Sequence, residues 1–221
     1  MRLSPDETIV FSVGILEINA TIFYTWIVMT ILVAGSWLIT RRLTADERPS
    51  HWQALLESVV VFMQNEIRAI TDQAPAPYLP FAGTLLVFIA VSNLIGAVPG
   101  FASPTTSLSL TTALALCAFF AVPFYGIRKK GVLRYLRVYI QPNPIMLPFN
   151  LISDVSRTLS LSVRLFGNMM SGQILVAIMV SLIPLFVPVL LEMFGLVIGL
   201  IQAYIFTVLT LVYIGGATSD T

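Results

Sequence analysis

Residues 21–40, TIFYTWIVMTILVAGSWLIT, run for twenty positions without a charged side chain. As a helix this run is about 30 Å long, the thickness of a bilayer's hydrocarbon core. In lipid such a segment must pair every backbone N–H and C=O internally, so it is helical. Four further stretches repeat the theme. Residues 81–98, 108–126, 147–183 and 188–215 are all strongly apolar, the last two separated near Pro184 and Pro188. Only 10% of the 221 residues are charged, less than half the roughly 25% of a soluble domain. The expected fold is therefore an all-α polytopic membrane protein with about five transmembrane helices, forming a single membrane domain over residues 1–221. No soluble domain, low-complexity tract or internal repeat stands out.

Residues 51–72 are different. Apolar residues at 54, 55, 59, 62 and 63, with the small Ser58 among them, alternate at helical spacing with Glu57, Gln64, Glu66 and Arg68. That pattern predicts an amphipathic helix at the membrane surface rather than across it. The three prolines of DQAPAPYLP then break the chain.

Orientation follows from the cations. Of twelve Lys and Arg, eight fall in two loops: Arg41, Arg42 and Arg48, then Arg128, Lys129, Lys130, Arg134 and Arg137. The positive-inside rule puts both loops in the cytoplasm, with the N-terminus outside and the C-terminus inside. Asp6, Glu7 and Glu17 do not suit a signal peptide's basic start, so the first span is expected to be retained.

The fourth segment is too long. Its thirty-seven residues, 147 to 183, contain no proline after Pro148 in the first turn and would extend about 55 Å, nearly twice the core thickness. Ordinary tilts of about 0–40° do not absorb the excess. The last two helices are thus expected to be long and strongly tilted, or the fourth kinked near Gly167 or Gly172.

Polar residues cluster on these two helices. Asn150, Asp154, Arg157, Arg164, Asn168 and Ser171 follow at spacings of 4, 3, 7, 4 and 3, with Gln173 on a flanking line. The last helix carries Glu192, Gly195, Gly199 and Gln202 at spacings of 3, 4 and 3. A charge near a helix centre costs about 2.5–3.5 kcal/mol to insert. Asp154 and Arg157 are close enough in sequence to pair. Arg164 has no acid one turn away, because positions 160, 161, 167 and 168 are Ser, Leu, Gly and Asn. Its partner must come from another helix or another protein. Two readings stay open here: a structural pair with Glu192, or a guanidinium facing a water-filled ion path. Asn168 and Gln202 suit either interhelical hydrogen bonds or a direct part in transfer, and Gly195 and Gly199 suit packing.

Several chemistries lack their parts. GIRKKG has the glycines of a phosphate loop but not its final hydroxyl residue. The single histidine, His51, starts the surface helix, remote from any nucleophile or metal partner. An enzyme acting alone is not expected, nor is a cofactor, a metal or a nucleic-acid partner. Asp154 and Glu192 are the only acids in the last two helices, too few for a self-contained proton wire.

LPFNLISDVSRTLSLSVRLFGNMMSGQ, followed about thirty residues later by LIQAYIFTVLTLVYIGGA, resembles subunit a of the F-type ATP synthase, the ion-conducting stator subunit. SNLIGAVPGF adds a weaker match, so the likeness covers roughly residues 80–215. The short N-terminus and RRL loop resemble the compact alternate form of some bacteria. The resemblance implies a multi-pass protein of the bacterial cell membrane, partnered by a c-subunit ring and peripheral-stalk b subunits. It implies two half-channels carrying protons or sodium ions to and from mid-membrane carboxylates on the ring. By similarity Arg164 is the stator arginine, with Asn168 and Gln202 beside it. Asp154 falls to the cytoplasmic half-channel, and Gln173 and Glu192 to the external one. Two positions depart from the family: Gln173 stands where many relatives have an acid or histidine, and Gly195 where they have His or Glu. Glu192, one turn earlier, is the expected substitute. A secondary transporter, or a structural subunit with a buried Arg–Glu pair, is the alternative.

Overall fold

The computed structural model describes residues 9–13, 16–41, 51–98, 101, 103–135, 146–183 and 186–219. Asp6, Glu7, Arg42, Arg48, Arg137 and Pro184 lie outside the described residues. The main helices are α1 (Ala20–Thr40), α2 (His51–Thr71), α3 (Leu79–Gly96), α4 (Leu108–Lys130), α5 (Met146–Leu182) and α6 (Val187–Thr218). Among the described residues, five helices are long and apolar enough to cross a membrane, and α2 is not one of them. The chain is a multi-pass membrane protein.

The all-α membrane fold holds, with one short hairpin ahead of it. Strands β1 (Ile9–Val13) and β2 (Leu16–Asn19) pair antiparallel ahead of α1, with Val13 opposite Leu16 and Ile9 opposite Asn19. Two residues separate the strands in sequence, a length at which neighbours pair as a hairpin. The β-branched Ile9, Val10 and Val13 favour extended backbone.

Helix ends follow local chemistry. Ser107 Oγ accepts a hydrogen bond from the Leu110 N–H at 3.4 Å and caps α4. That helix ends at Gly131, whose φ of 83° is open to glycine, after a last turn of Arg128, Lys129 and Lys130 that complements its carbonyl end. Prolines in the first turns of α3 and α6 sit where no N–H partner is needed. Helix α5 runs unbroken for 37 residues through Gly167 and Gly172.

Helix α6 is the hub, packing against α2, α3, α4 and α5. One core cluster joins Leu85 and Ile89 of α3, Ala115 and Ala118 of α4, Leu161 and Leu165 of α5, and Ala203 and Phe206 of α6. A second joins Met63 and Ile67 of α2 to Tyr78, Ala82, Ala121, Leu211 and Ile214. Alanines at the crossings let helix backbones approach closely, the usual device where lipid offers no hydrophobic drive for helix association. The buried line of α2 is Met63, Ile67 and Thr71. Leu55, Ser58 and Phe62, on the apolar face expected from the sequence, are exposed instead.

Candidate functional site

Helix α5 divides its residues sharply around Arg164. Leu161, Ser162 and Leu165 are buried against the bundle, while Val163, Arg164 and Asn168 are exposed. Leu165, with no exposed surface, anchors the helix and so turns Arg164 outward. Among the described residues the only ion pair is Arg157–Asp154, and none of their carboxylates lies within 4.0 Å of Arg164.

Two cross-helix contacts set the register of α5 against α6. Asn168 Nδ2 donates to Gln202 Oε1 at 3.0 Å. The Arg157 guanidinium lies 5.3 Å from the centre of the Tyr213 ring. Eleven residues separate the contacts on each helix, running in opposite directions. By that register Arg164 is level with Phe206, and Glu192 is level with Ile178. Fourteen residues of helix separate those levels, about 21 Å. The Arg164–Glu192 pair is therefore not formed, and the structural alternative built on it fails.

On the Met146 side of Arg164, α4, α5 and α6 enclose a cavity of about 740 Å³. Asn150, Asp154, Arg157, Thr158 and Tyr213 line it, facing Phe119 and Pro123 of α4. Pro123 has no N–H to offer the carbonyl one turn before it, at Phe119. Asp154 Oδ1 lies 3.7 Å from an Arg157 guanidinium nitrogen, the pairing expected from their spacing. Tyr213 carries no mark of this role in the sequence: its link to Arg157 crosses helices and has no local signature.

Gln173 and Glu192, on the Leu182 side, are both partly exposed. Between them and Gln202 lies a polar group centred on Asn93, the amide side chain within the apolar run of α3. Asn93 Nδ2 donates to the Gly199 carbonyl at 2.8 Å, and Thr105 Oγ1 donates to Asn93 Oδ1 at 2.7 Å. Ser103 Oγ sits 2.6 Å from Thr105 Oγ1 and donates to the Ser92 carbonyl at 3.0 Å. Asn93, Ser103 and Thr105 are buried, forming a polar thread through an apolar bundle. Gly199 thus faces α3, and a Cβ there would come within 3.1 Å of Asn93. Gly195 meets nothing within 4 Å, so of the two glycines only Gly199 packs inside this chain. Gln202 is buried with its Nε2 unpaired, while Oε1 holds Asn168.

These features define a multi-pass membrane protein with a fixed cation, Arg164, on the outer face of its helix bundle. Residues 22–215 match the family model for the ATP synthase A chain. The chain belongs to that family, the stator subunit of the F-type ATP synthase, whose general function is proton translocation. ATP synthase subunit a 2 of Acaryochloris marina (strain MBIC 11017) is 55% identical over 218 residues, covering 99% of this chain and 93% of that one. ATP synthase subunit a of Nitrosospira multiformis is 50% identical over 220 residues, covering 100% and 88%. ATP synthase subunit a 1 of Chlorobaculum tepidum is 48% identical over 218 residues, covering 99% of each chain.

Proposed function

We propose that Arg164 is the fixed counter-charge between two half-channels, through which protons (or sodium ions) reach and leave the carboxylates of a c-subunit ring. The observation that carries this is Arg164 itself: exposed on α5, with no acid within ion-pair distance among the described residues. A guanidinium stays charged at any working pH and offers a flat fork of donors to a carboxylate. Its insertion cost of about 2.5–3.5 kcal/mol is best offset by an acid arriving from outside the chain. A ring carboxylate beside Arg164 stays ionised, and it takes up an ion only on moving to a half-channel. The standing positive charge also blocks direct leakage from one half-channel to the other.

Asn168 and Gln202, bonded to each other, shape the approach to Arg164. The Asp154 cavity serves as the cytoplasmic half-channel, and Gln173 and Glu192 belong to the external one. The chain acts as one non-catalytic membrane domain over residues 1–221, its N-terminus outside and its C-terminus in the cytoplasm of a bacterial cell. Peripheral-stalk b subunits hold it against the turning ring.

ATP-driven ion pumping by the assembled complex tests this. Arg164→Ala should reduce pumping to background, and Arg164→Lys should impair it severely because the ammonium lacks the fork. Normal coupled pumping by Arg164→Ala would sink the proposal.

A further inference from the structure

Away from the ion path, one cleft carries cations that nothing so far described uses. It opens where α2, α4 and α6 end and α3 begins. Its volume is about 410 Å³, lined by Gln73, Pro77, Tyr78, Tyr125, Arg128 and Lys129. The floor is internally satisfied. Tyr78 donates from its hydroxyl to Gln73 Oε1 at 2.6 Å, and Gln73 Nε2 donates to Thr218 Oγ1 at 3.2 Å. The Tyr78 and Tyr125 rings lie 5.2 Å apart.

The rim is not satisfied in the same way. Arg128 and Lys129 are exposed, and among the described residues neither has a carboxylate within 4.0 Å. Asp72, beside Gln73 in the chain, reaches neither of them. The carbonyl end of α4 opposes an anion with about half a charge, which two full cations outweigh. An arginine fork suits a phosphate oxygen pair, and the lysine adds a point charge.

The surface below the rim indicates where that phosphate comes from. Leu116, Phe120 and Phe124 precede Arg128 at four-residue intervals along α4, with exposures of 44%, 64% and 59%. From Leu116 to Arg128 is about 18 Å of helix, close to one leaflet's share of the hydrocarbon core. A cation above an apolar strip of leaflet length matches a headgroup above its acyl chain. Basic pockets between spanning helices on the cytoplasmic side, with tyrosines at headgroup depth, suit anionic lipids. We infer that this cleft binds the phosphodiester of an anionic phospholipid, with Arg128 and Lys129 on the headgroup and the Leu116–Phe120–Phe124 strip along an acyl chain.

The test uses the assembled complex in phosphatidylcholine vesicles doped with photoreactive phosphatidylglycerol, reading the label attached to this chain in intact complex. Each cation held against the headgroup contributes about a five-fold preference, so Arg128→Gln with Lys129→Gln should lower labelling about thirty-fold. Lys130→Gln with Arg134→Gln removes the same charge outside the cleft and should leave labelling high. Ala74 also lines the cleft, so Ala74→Trp fills it while keeping both cations in the chain and should also abolish labelling. It decides the matter if the double variant fails to assemble, and the double variant does so if Ala74→Trp fails. Excess inorganic phosphate should not displace the lipid. Equal loss in both charge-removing pairs would mean diffuse surface attraction, and displacement by inorganic phosphate would mean a site for the free anion. Either result overturns the inference, as does undiminished labelling in the cleft variants.

Discussion

Gly195 and Gly199 lie one turn apart on α6 and look alike in sequence, yet alanine should act oppositely at the two. In a helix interior Gly→Ala is favourable by about 1 kcal/mol, because alanine has less backbone entropy to lose. At Gly195 a Cβ meets nothing within 4 Å, so the substitution should be neutral or stabilising. At Gly199 a Cβ would lie 3.1 Å from both Cβ and Nδ2 of Asn93 and 3.2 Å from Cγ. Asn93 can withdraw only by stretching its 2.8 Å bond to the Gly199 carbonyl or its 2.7 Å bond from Thr105. Overpacking a well-filled site costs about 1–3 kcal/mol, which offsets or exceeds the propensity gain. Gly199→Ala is therefore expected to be about 1–3 kcal/mol less stable than Gly195→Ala. SDS titration of the purified chain in mild-detergent micelles measures that difference. A second arm isolates the cause. Asn93→Ala alone should cost about 0.6–1.7 kcal/mol, the range of interhelical hydrogen bonds in membranes. Combined with Gly199→Ala it should cost less than the sum, since the obstructing side chain is gone. Equal stability of the two glycine variants, or strict additivity in the double variant, would refute the packing assignment.

The same titration and a pumping assay separate structure from function at two other positions. Tyr213→Phe keeps the ring beside Arg157 and should pump normally, whereas Tyr213→Leu releases a contact of about 0.5–1 kcal/mol and should slow pumping about two- to five-fold. Gln202→Leu removes the acceptor for Asn168 together with the unpaired Nε2, so stability should fall by less than about 1 kcal/mol. Pumping should fall much further; unchanged pumping would reduce Gln202 to a packing residue.

The number of long apolar helices is legible in the sequence because lipid imposes a length and leaves the backbone little choice but helix. The isolation of Arg164 along its own helix is equally plain there, since one turn either way brings only Ser160, Leu161, Gly167 and Asn168. The short hairpin leaves no comparable trace. Nine strand residues carry little periodic signal beside twenty-residue hydrocarbon runs.

Orientation of faces is the harder matter, and the reason is general to membranes. Apolar residues there point to lipid as readily as to the core, so periodicity separates polar from apolar without separating inside from outside. Helix α2 accordingly buries Met63, Ile67 and Thr71 and exposes Leu55 and Phe62. Sequence distance likewise makes Asp154–Arg157 pairing foreseeable, being one helical turn. It leaves Arg164–Glu192 open, and the register of α5 on α6 closes that question by putting about 21 Å between their levels. The links from Asn93 to Gly199 and from Arg157 to Tyr213 span 106 and 56 residues and depend on helices meeting side by side. Composition and helical spacing act within a segment, so they determine the spans, the amphipathic helix and the lone guanidinium. Which glycine packs, which ring holds Arg157 and what Arg164 faces are properties of pairs of helices, and only their packing decides them.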